Sequence, residues 1–337
     1  MVMIKVSVIV PSYNEQATIR QLLDAIYGQT YPLNDIEVII ADGLSTDQTR
    51  EVINDFQLSH PNLEIRIIDN IKRVIPSGIN RAIEVARGRY LIRMDAHSIP
   101  DREYIQNCVK GLDNGLGDNV GGVWKIEPGS ITWIAKSIAK AASHPLGAGD
   151  ALYRIGGVAQ EVDTVPFGAF RRELIDRIGM FDETLLTNED YEFNARIRQS
   201  GGKVWMDPSI HSVYYARSTL KELSQQYWRY GFWKAQMLRR YPQTIRWRQI
   251  IPPLFVLALL SSGILALAWS PARWLLAIIV LPYAMIITIA GIQMSINQKD
   301  IPLSIGVPLA IATIHLSWGT ALLWGLVFKP GRIEPLG

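Results

Sequence analysis

Short apolar runs alternate with amphipathic stretches along the first part of the chain. Four continuous runs rich in β-branched residues predict strands: residues 5–10, 36–42, 63–68 and 89–95. Three segments with polar starts and helical spacing separate these strands: residues 15–27, 46–56 and 76–86. Continuous apolar strands of this length suit a parallel sheet that is buried on both faces. The pattern therefore predicts an α/β fold with an open, doubly wound, mostly parallel sheet.

Charge almost disappears from the chain after residue 249. The charged side chains between residues 249 and 328 are Arg273, Lys299 and Asp300. Three apolar stretches fill this region: residues 250–269, 274–294 and 301–328. Each is close to the roughly 20 residues that a helix needs to cross about 30 Å of hydrocarbon. We therefore expect three transmembrane helices at the C-terminal end.

A basic and aromatic segment, residues 217–248, precedes these stretches and carries eight Lys and Arg against one acid, Glu222. The positive-inside rule predicts that this flank and the domain before it are cytoplasmic, at the inner membrane of the cell. Interleaved Tyr, Trp and Phe favour a helix that lies on anionic membrane lipids over a solvated linker. Three complete spans would put Lys329 and Arg332 on the opposite side, so either one stretch is interfacial or that charge bias is too small.

The predicted organisation has four parts, namely a catalytic domain, an interfacial helix region, three transmembrane helices and a tail: residues 1–216, 217–248, 249–328 and 329–337. The overall charge is only mildly basic, with 34 Lys and Arg against 31 Asp and Glu, and this predicts no nucleic-acid partner. The single cysteine, Cys108, excludes an intrachain disulfide and a cysteine-based zinc cluster. The first ten residues lack the long apolar core of a signal peptide and predict a buried strand.

Polar residues collect where the predicted strands end: residues 11–15, 41–49 and 94–98. Ligands of open α/β sheets bind beyond the carboxyl ends of the strands. The glycine-rich loops of dehydrogenases and P-loop NTPases do not occur here. Asp42 and Asp95 would meet a nucleotide diphosphate with like charge, so this edge needs a divalent cation between them.

Asp95 and His97 lie two residues apart on an extended segment, so both side chains point to one side. Imidazole beside carboxylate favours Mn²⁺ over Mg²⁺. His211, in a later strand, could return to the same ion. Each histidine has a plainer alternative, because His97 could cap a helix near Pro100 and His211 could be a half-buried strand residue.

Glu189 and Asp190 precede a helical stretch in "NEDYEFNAR". A carboxylate at this position can act as a general base, or it can simply stabilise the helix dipole.

Together these motifs resemble the family 2 glycosyltransferases of GT-A fold over residues 5–235. "VSVIVPSYNE" resembles the opening strand and nucleotide loop of that family, "ADGLSTDQT" its uracil-binding loop, and "RMDAH" its Asp-x-Asp segment, with His97 in place of the second aspartate. On the donor side, the resemblance implies these contacts to the nucleotide sugar: Pro11, Tyr13, Glu15, Asp42, Arg81 and Asp95. It also implies that the divalent metal is held by Asp95, His97 and His211.

On the acceptor side, "NEDYEFNAR" resembles the x-Glu-Asp motif, which implies that Asp190 is the base and that Glu189 lies beside it. "VPFGAFRREL" resembles the family's acceptor loop at Gly168. "QQYWRYGFWK" resembles a divergent Gln-x-x-Arg-Trp motif, which implies acceptor contacts from Trp228 and Arg229 and leaves processivity open.

The likeness is greatest to the membrane-attached glucosyltransferases of succinoglycan-type exopolysaccharide synthesis. It implies inverting transfer of a sugar, glucose in those enzymes, from a UDP-sugar to a lipid-linked acceptor on polyprenyl diphosphate. One alternative is a polyprenyl-phosphate sugar transferase similar to dolichyl-phosphate-mannose synthase. Another is a non-enzymatic scaffold or transporter with a degenerate nucleotide-binding domain, although spans without paired charges disfavour transport.

Overall fold

A computed structural model describes residues 4–330, which form two compact units. Among the described residues, the first unit comprises residues 4–125 and 156–214, and the second comprises residues 126–155 and 215–330. The strands are β1 (Val6–Ser12), β2 (Ile36–Asp42), β3 (Glu64–Asp69), β4 (Tyr90–Arg93), β5 (Ile99–Pro100), β6 (Asn119–Pro128), β7 (Gln160–Glu161), β8 (Ala169–Arg171) and β9 (Val204–Ala216).

The α-helices are α1 (Ile19–Tyr27), α2 (Thr49–Ser59), α3 (Ile75–Val85), α4 (Tyr104–Asp113), α5 (Trp133–Ala142), α6 (Pro145–Ala148), α7 (Leu152–Ile155), α8 (Glu173–Ile178), α9 (Glu189–Gln199), α10 (Leu220–Leu238), α11 (Trp247–Ala268), α12 (Pro271–Gln298) and α13 (Leu303–Val327). Single turns of 3₁₀ helix occur at Leu33–Asp35 and Pro242–Thr244.

The first half of the sheet is parallel, as the apolar runs predict. Strands β3, β2, β1 and β4 lie side by side in that order, and each adjacent pair is parallel. In register, Ser12 lies opposite Asp42, and Asp42 lies opposite Asp69. The strands therefore end together, and the polar residues that follow them share one edge of the sheet.

Both faces of this half are covered. Every residue of β1 and β2 is buried. Alternate β1 residues such as Val6 and Val8 join the apolar cluster that contains Leu22 of α1 and Phe56 of α2. Helix α3 packs against β1 and β2 as well. This double covering explains why the strands are continuously apolar and do not alternate.

The second half of the sheet is antiparallel. It includes β9, which confirms the predicted later strand that carries His211, and other strands that are too short or too polar for periodicity to predict. Strand β8 pairs antiparallel with β4 and with β6, and β9 pairs antiparallel with β5 and β7. The predicted fourth strand also ends early, at Arg93, because a turn begins at Asp95. The backbone N–H and the hydroxyl of Ser98 both donate to the Asp95 carbonyl, at 3.0 and 2.8 Å.

The second unit is helical and includes residues 126–155, which the predicted domain boundary after residue 216 does not anticipate. Among the described residues, three helices are long and apolar enough to cross a membrane, namely α11, α12 and α13. They agree with the predicted stretches to within a few residues. Helix α13 packs against α5, α10, α11 and α12, and is the most buried of the three. Arg332, whose side of the membrane the charge rule addresses, lies outside the described residues.

Candidate active site

The loops that follow β1 and β2 are joined by hydrogen bonds. The backbone N–H of Asn14, a residue with left-handed φ of 54°, donates to Oγ of Ser45 at 2.9 Å. The Asn14 side-chain oxygen accepts from the N–H of Thr46 at 2.9 Å. The N–H of Glu15 donates to Oγ1 of Thr49 at 2.8 Å. These bonds combine the two predicted nucleotide segments into one ordered edge.

Tyr13 gives this edge an aromatic surface. A Cβ on Gly43 would lie 3.0 Å from the Tyr13 ring, so glycine allows the close approach of the second loop. The guanidinium of Arg73 lies 5.9 Å from the Tyr13 ring centroid, within cation–π range. Pro11 is buried opposite Ala41 in the strand register. Tyr13 is therefore in a position that suits stacking against a nucleobase.

Asp42 is fully buried and holds the second loop together. Its Oδ1 accepts from the Ser45 hydroxyl at 2.5 Å, and its Oδ2 accepts from the Ser45 N–H at 3.0 Å. Nε of Arg50 donates to the same Oδ2 at 2.6 Å. Both carboxylate oxygens thus stabilise the loop, and the expected contact with uracil stays a prediction. Arg81, the other expected donor contact, lies exposed on α3.

One buried arginine joins the two acidic motifs. Nη2 of Arg93 donates to Oδ1 of Asp95 at 3.0 Å and to Oε1 of Glu189 at 2.9 Å. Nη1 of Arg93 forms an ion pair with Asp190. The Arg93 side chain is 4% exposed and that of Asp190 is 30% exposed. Residues about 95 positions apart therefore meet at a single guanidinium, and the predicted base lies on its open side.

Burial and charge act against each other in this cluster. Burial raises the pKa of Glu189, and the attraction of Arg93 offsets only part of that rise. Burial also works against the charge of Arg93, but Asp95 and Glu189 outweigh it and raise the pKa of the guanidinium. Arg93 is consequently a permanent buried cation whose partners compensate its charge.

Helix α9, which carries Glu189 and Asp190, is fixed from several sides. Arg196, whose guanidinium is held by the fully buried carboxylate of Glu192 on the same helix, donates through Nη2 to the carbonyl of Met180 at 2.7 Å. The Phe193 ring stacks on Phe181 with centroids 4.2 Å apart. Oδ1 of Asn194 accepts from the side-chain amide of Asn119 at 2.6 Å. These anchors hold the first turn of α9 beside Arg93.

The predicted metal ligands lie in two places. Asp95 keeps 24% of its side chain exposed and His97 47%, and Nδ1 of His97 lies 3.1 Å from Oε1 of Glu15. Nε2 of His211 lies instead 3.3 Å from Oδ2 of Asp101. Across residues 4–330, no group of three or more His, Cys, Asp and Glu side chains is arranged to hold one metal ion. Asp95 and His97 fit an ion that takes its other ligands from a diphosphate.

Gly168 supports the cluster through its backbone. Its carbonyl accepts from the N–H of Arg93 at 3.2 Å. A Cβ at this position would lie 2.1 Å from Oδ1 of Asn119, so only glycine allows the approach. In the second unit, helix α10 exposes Trp228 and Arg229, the two acceptor-side residues of the divergent motif.

Comparison with known proteins assigns the chain to a family. The model of "Glycosyl transferase family 2" matches residues 7–179, which include both nucleotide loops and the Asp95 segment. The chain belongs to glycosyl transferase family 2.

Relatives of this family 2 glycosyltransferase extend over its whole length. The dolichyl N-acetyl-α-D-glucosaminyl phosphate 3-β-D-2,3-diacetamido-2,3-dideoxy-β-D-glucuronosyltransferase of Methanococcus voltae is 30% identical over 332 residues, 96% of this chain and 97% of that protein. The succinoglycan biosynthesis protein ExoA of Rhizobium meliloti (strain 1021) is 29% identical over 313 residues, 92% of each protein.

Among solved structures, the mannosyltransferase PcManGT from Pyrobaculum calidifontis, in complex with GDP-Man and Mn²⁺, superposes with a TM-score of 0.58. It is 21% identical, and the match covers 92% of this chain and 86% of that one. The fold class is therefore confirmed as GT-A, with a mixed, mostly parallel sheet and three apolar C-terminal helices.

Arg93 is the residue of this glycosyltransferase that sequence reasoning missed. It stands in the apolar run "YLIRM", immediately before the Asp95 segment. A charged side chain in a strand that is otherwise buried requires a compensating partner. That requirement is a signal in the sequence, although it does not name the partners.

Proposed function

We propose that this glycosyltransferase moves a sugar, glucose by its succinoglycan-type likeness, from a UDP-sugar to an acceptor on polyprenyl diphosphate, with inversion. Two full-length relatives support the acceptor class. The name of one specifies a dolichyl-linked sugar phosphate, and the other belongs to succinoglycan biosynthesis. The acceptor of this chain would accordingly be a sugar hydroxyl on a lipid carrier.

The observation that carries the proposal is the meeting of Asp95 and Asp190 on Arg93. Transfer requires a donor diphosphate next to a base that faces the acceptor. Asp95 lies two residues after the end of β4 on the nucleotide edge, and Asp190 lies in the first turn of α9. Arg93 links the two through one buried side chain, so donor and acceptor chemistry would take place within a few ångströms.

In the proposed reaction, the acceptor hydroxyl attacks the anomeric carbon while its proton passes to the carboxylate of Asp190. The new carbon–oxygen bond forms on the face opposite the departing UDP, and the bond from the anomeric carbon to the β-phosphate oxygen breaks. Arg93 would orient Asp190 before the acceptor arrives. A base in this role typically contributes about 10²–10⁴-fold to the rate.

Asp95 and His97 would hold a divalent cation, with Mn²⁺ favoured over Mg²⁺ because one donor is imidazole nitrogen. Such a cation would neutralise charge on the leaving diphosphate. Glu15 lies next to His97 and would orient its ring, because Oε1 of Glu15 is 3.1 Å from Nδ1 of His97. We propose His211 as a further ligand of this cation. To bind it, the His211 side chain would first have to break its contact with Asp101.

The basic flank of residues 217–248 supports a catalytic domain on the cytoplasmic side of the inner membrane. Exposed Trp228 and Arg229 on α10 combine an indole ring with a cation, which suits a lipid headgroup region. We propose that they contact the lipid-linked acceptor.

The test compares Asp190→Asn with Asp176→Asn, which changes an exposed carboxylate on α8. Full-length protein in liposomes that contain a polyprenyl-diphosphate-linked sugar receives each radiolabelled UDP-sugar in turn, and the label in the lipid extract is counted. We expect transfer to fall by about 10²–10⁴-fold in Asp190→Asn alone, with UDP binding by calorimetry unchanged. Undiminished lipid labelling in Asp190→Asn would favour a phosphate acceptor, because a phosphate nucleophile needs little general-base catalysis. Label found only in the water phase would rule out a lipid-linked acceptor.

A further inference from the structure

Helices α11 and α12 form an antiparallel hairpin with a two-residue turn, Trp269 and Ser270. The rings of Phe255 and Tyr283 lie 4.3 Å apart, which fixes the pairing of the two helices. At 1.5 Å per residue, the 22 residues of α11 extend about 33 Å, enough to cross the hydrocarbon. The start of α11 and the end of α12 therefore lie on the same side, opposite the turn.

Burial in this hairpin is one-sided along its length. Most of its buried residues lie in the half away from the turn: Pro253, Val256, Ile287, Ala290 and Gly291. In the turn half, Ser262 and Ala272 are buried. The apolar side chains around the turn, such as Leu267 at 87% exposed, face outward. Helix α13, which packs on both helices of the hairpin, therefore covers mainly the half that is remote from the turn.

The N-terminal end of α13 lies beside the end of α12. Only residues 299–302 connect the two helices. A Cβ on Gly291 would lie 2.5 Å from Cδ of Pro308, so the helices are in close contact there.

The C-terminal end of α13 returns to the start of α11. A Cβ on Gly325 would lie 2.8 Å from Cβ of Ala235 on α10. The next residues of α10 bind the same helix end, because the side-chain amide of Gln236 donates to the Gly325 carbonyl at 2.9 Å. One residue before Ala235, Nζ of Lys234 donates to the carbonyl of Thr244 at 3.1 Å. Thr244 stands three residues before α11, so this end of α13 lies near the start of α11.

Helix α13 is also covered by two helices that carry exposed charge. Gly306 contacts Ser137 of α5, a helix that exposes Lys136. On the other side, the hydroxyls of Ser317 and Ser224 of α10 lie 2.9 Å apart, and α10 exposes Arg229. Hydrocarbon around α13 would have to accommodate these cations, which is costly.

The one ionisable side chain inside α13, His315, is satisfied by neighbouring segments. Its Nε2 lies 2.7 Å from the carbonyl of Leu146, and its Nδ1 lies 3.1 Å from the hydroxyl of Tyr283. A carbonyl can only accept, so Nε2 carries the proton and Nδ1 accepts from Tyr283. Leu146 belongs to α6, in the segment that follows α5. His315 thus joins α13 to the segment that follows α5 and to the middle of α12.

We propose that the chain crosses the membrane twice, through α11 and α12, and that α13 begins and ends on the side where α11 begins. Lys329 then joins the basic flank of residues 217–248, and the positive-inside rule holds at both ends of the helical region. The lipid-contacting surface is the outer face of the α11–α12 hairpin. This inference is independent of the reaction.

Three single-cysteine additions to the full-length protein test the proposal: Gln243→Cys, Ser270→Cys and Lys329→Cys. Gln243 and Lys329 are exposed positions before α11 and after α13, and Ser270 lies in the turn. The native Cys108 is fully buried, and burial raises the pKa of its thiol, so it can stay in place as an unreactive background. A membrane-impermeant maleimide is applied to intact cells and again after permeabilisation.

We expect Gln243→Cys and Lys329→Cys to share one labelling behaviour and Ser270→Cys to show the opposite one, with Ser270→Cys labelled in intact cells. Labelling of Lys329→Cys together with Ser270→Cys would establish three spans and overturn the proposal. Equal behaviour of all three would show that the hairpin does not cross. Fusions of green fluorescent protein and of alkaline phosphatase after Lys329 provide a second measurement: fluorescence without phosphatase activity is expected, and the reverse would overturn the proposal.

Discussion

Arg93 gives the sharpest test of the proposed catalytic cluster, because one buried cation contacts three carboxylates. Arg93→Met retains an unbranched apolar side chain and removes the charge. Arg93→Lys retains the charge and loses the planar fork that lets one side chain bind several acids. Arg89→Met is a matched control, since Arg89 precedes the same strand but is exposed and lies 3.8 Å from Glu173.

Removal of one partner from a buried ion pair costs about 3–5 kcal/mol, because the other charge stays buried without compensation. For a unit of this size, each kcal/mol lowers the unfolding midpoint by about 2–4 °C, so Arg93→Met should unfold about 6–20 °C below wild type. An exposed pair contributes roughly 0–1 kcal/mol, so Arg89→Met should change little.

Glu189 sets the pH dependence of this loss. Its folded-state pKa is raised by burial, so the folded protein binds its proton more tightly than the unfolded chain does. For a carboxyl shifted in this direction, the unfolded state binds fewer protons, and stability falls as pH rises above the unfolded pKa. Without Arg93 the shift grows. Arg93→Met should therefore lose less stability at low pH than at neutral pH, and Glu189→Gln in the same chain should restore part of it.

Thermal unfolding by intrinsic fluorescence and the rate of UDP-sugar turnover measure the two effects. If Arg93 positions Asp190, Arg93→Met should lower kcat by up to about 10²–10⁴-fold with a smaller change in KM for the donor, and Arg93→Lys should recover part of kcat. Arg93→Met with wild-type kcat and wild-type unfolding midpoint would refute the cluster as the organiser of the site. A loss of stability with kcat unchanged would limit Arg93 to a structural role.

Two further changes test the surroundings of the cluster. In calorimetric titration, His97→Ala should weaken UDP binding in the presence of Mn²⁺ and leave metal-free UDP binding unchanged. His211→Ala should have the smaller effect, because His211 pairs with Asp101. If the His97→Ala variant responded to Mn²⁺ like wild type, His97 would be a loop residue without a role in metal binding. Gly168→Ala should lower the free energy of unfolding by roughly 1–3 kcal/mol, because its Cβ would collide with Asn119. Gly28→Ala, whose Cβ would meet ordinary contacts, should unfold near the wild-type midpoint. Equal unfolding midpoints for the two variants would contradict the packing argument.

The parallel half of the sheet could be predicted because each of its strands is a continuous apolar run. Strands that are buried on both faces need apolar residues at successive positions, so this pattern is visible in the sequence. Strands β7 and β8 have two and three residues, too few for any periodicity. Helix α5 sits in a segment whose ordinary charge content does not separate it from the catalytic domain. The number of apolar helices followed from composition alone, but how α13 packs depends on contacts with distant segments.

The same limit applies to the active site. Asp95 and Asp190 could be singled out as candidates because motifs preserve local spacing, and their roles stay predictions. The importance of Arg93 depends on contacts with carboxylates about 95 positions away in the sequence, which no local pattern indicates. The position of His211 depends on the pairing register of β5 and β9. This register places Pro100 opposite Ser212, and the N–H of Asp101 donates to the His211 carbonyl at 3.0 Å. The pairing of the two-residue strand β5 therefore sets which carboxylate the His211 side chain contacts, namely that of Asp101.

This register makes the two histidines unequal candidates for the metal. His97 lies in the turn that begins at Asp95, two residues from the carboxylate that would share its ion, and it could bind the ion through Nε2 while Glu15 orients its ring through Nδ1. His211 would have to give up Asp101 while β5 still holds its backbone. Because Glu15 would orient the His97 ring, Glu15→Gln should weaken Mn²⁺-dependent UDP binding, whereas Asp101→Asn should leave it unchanged unless His211 joins the ion. An equal response to both substitutions in the calorimetric titration would show that the two histidines act together.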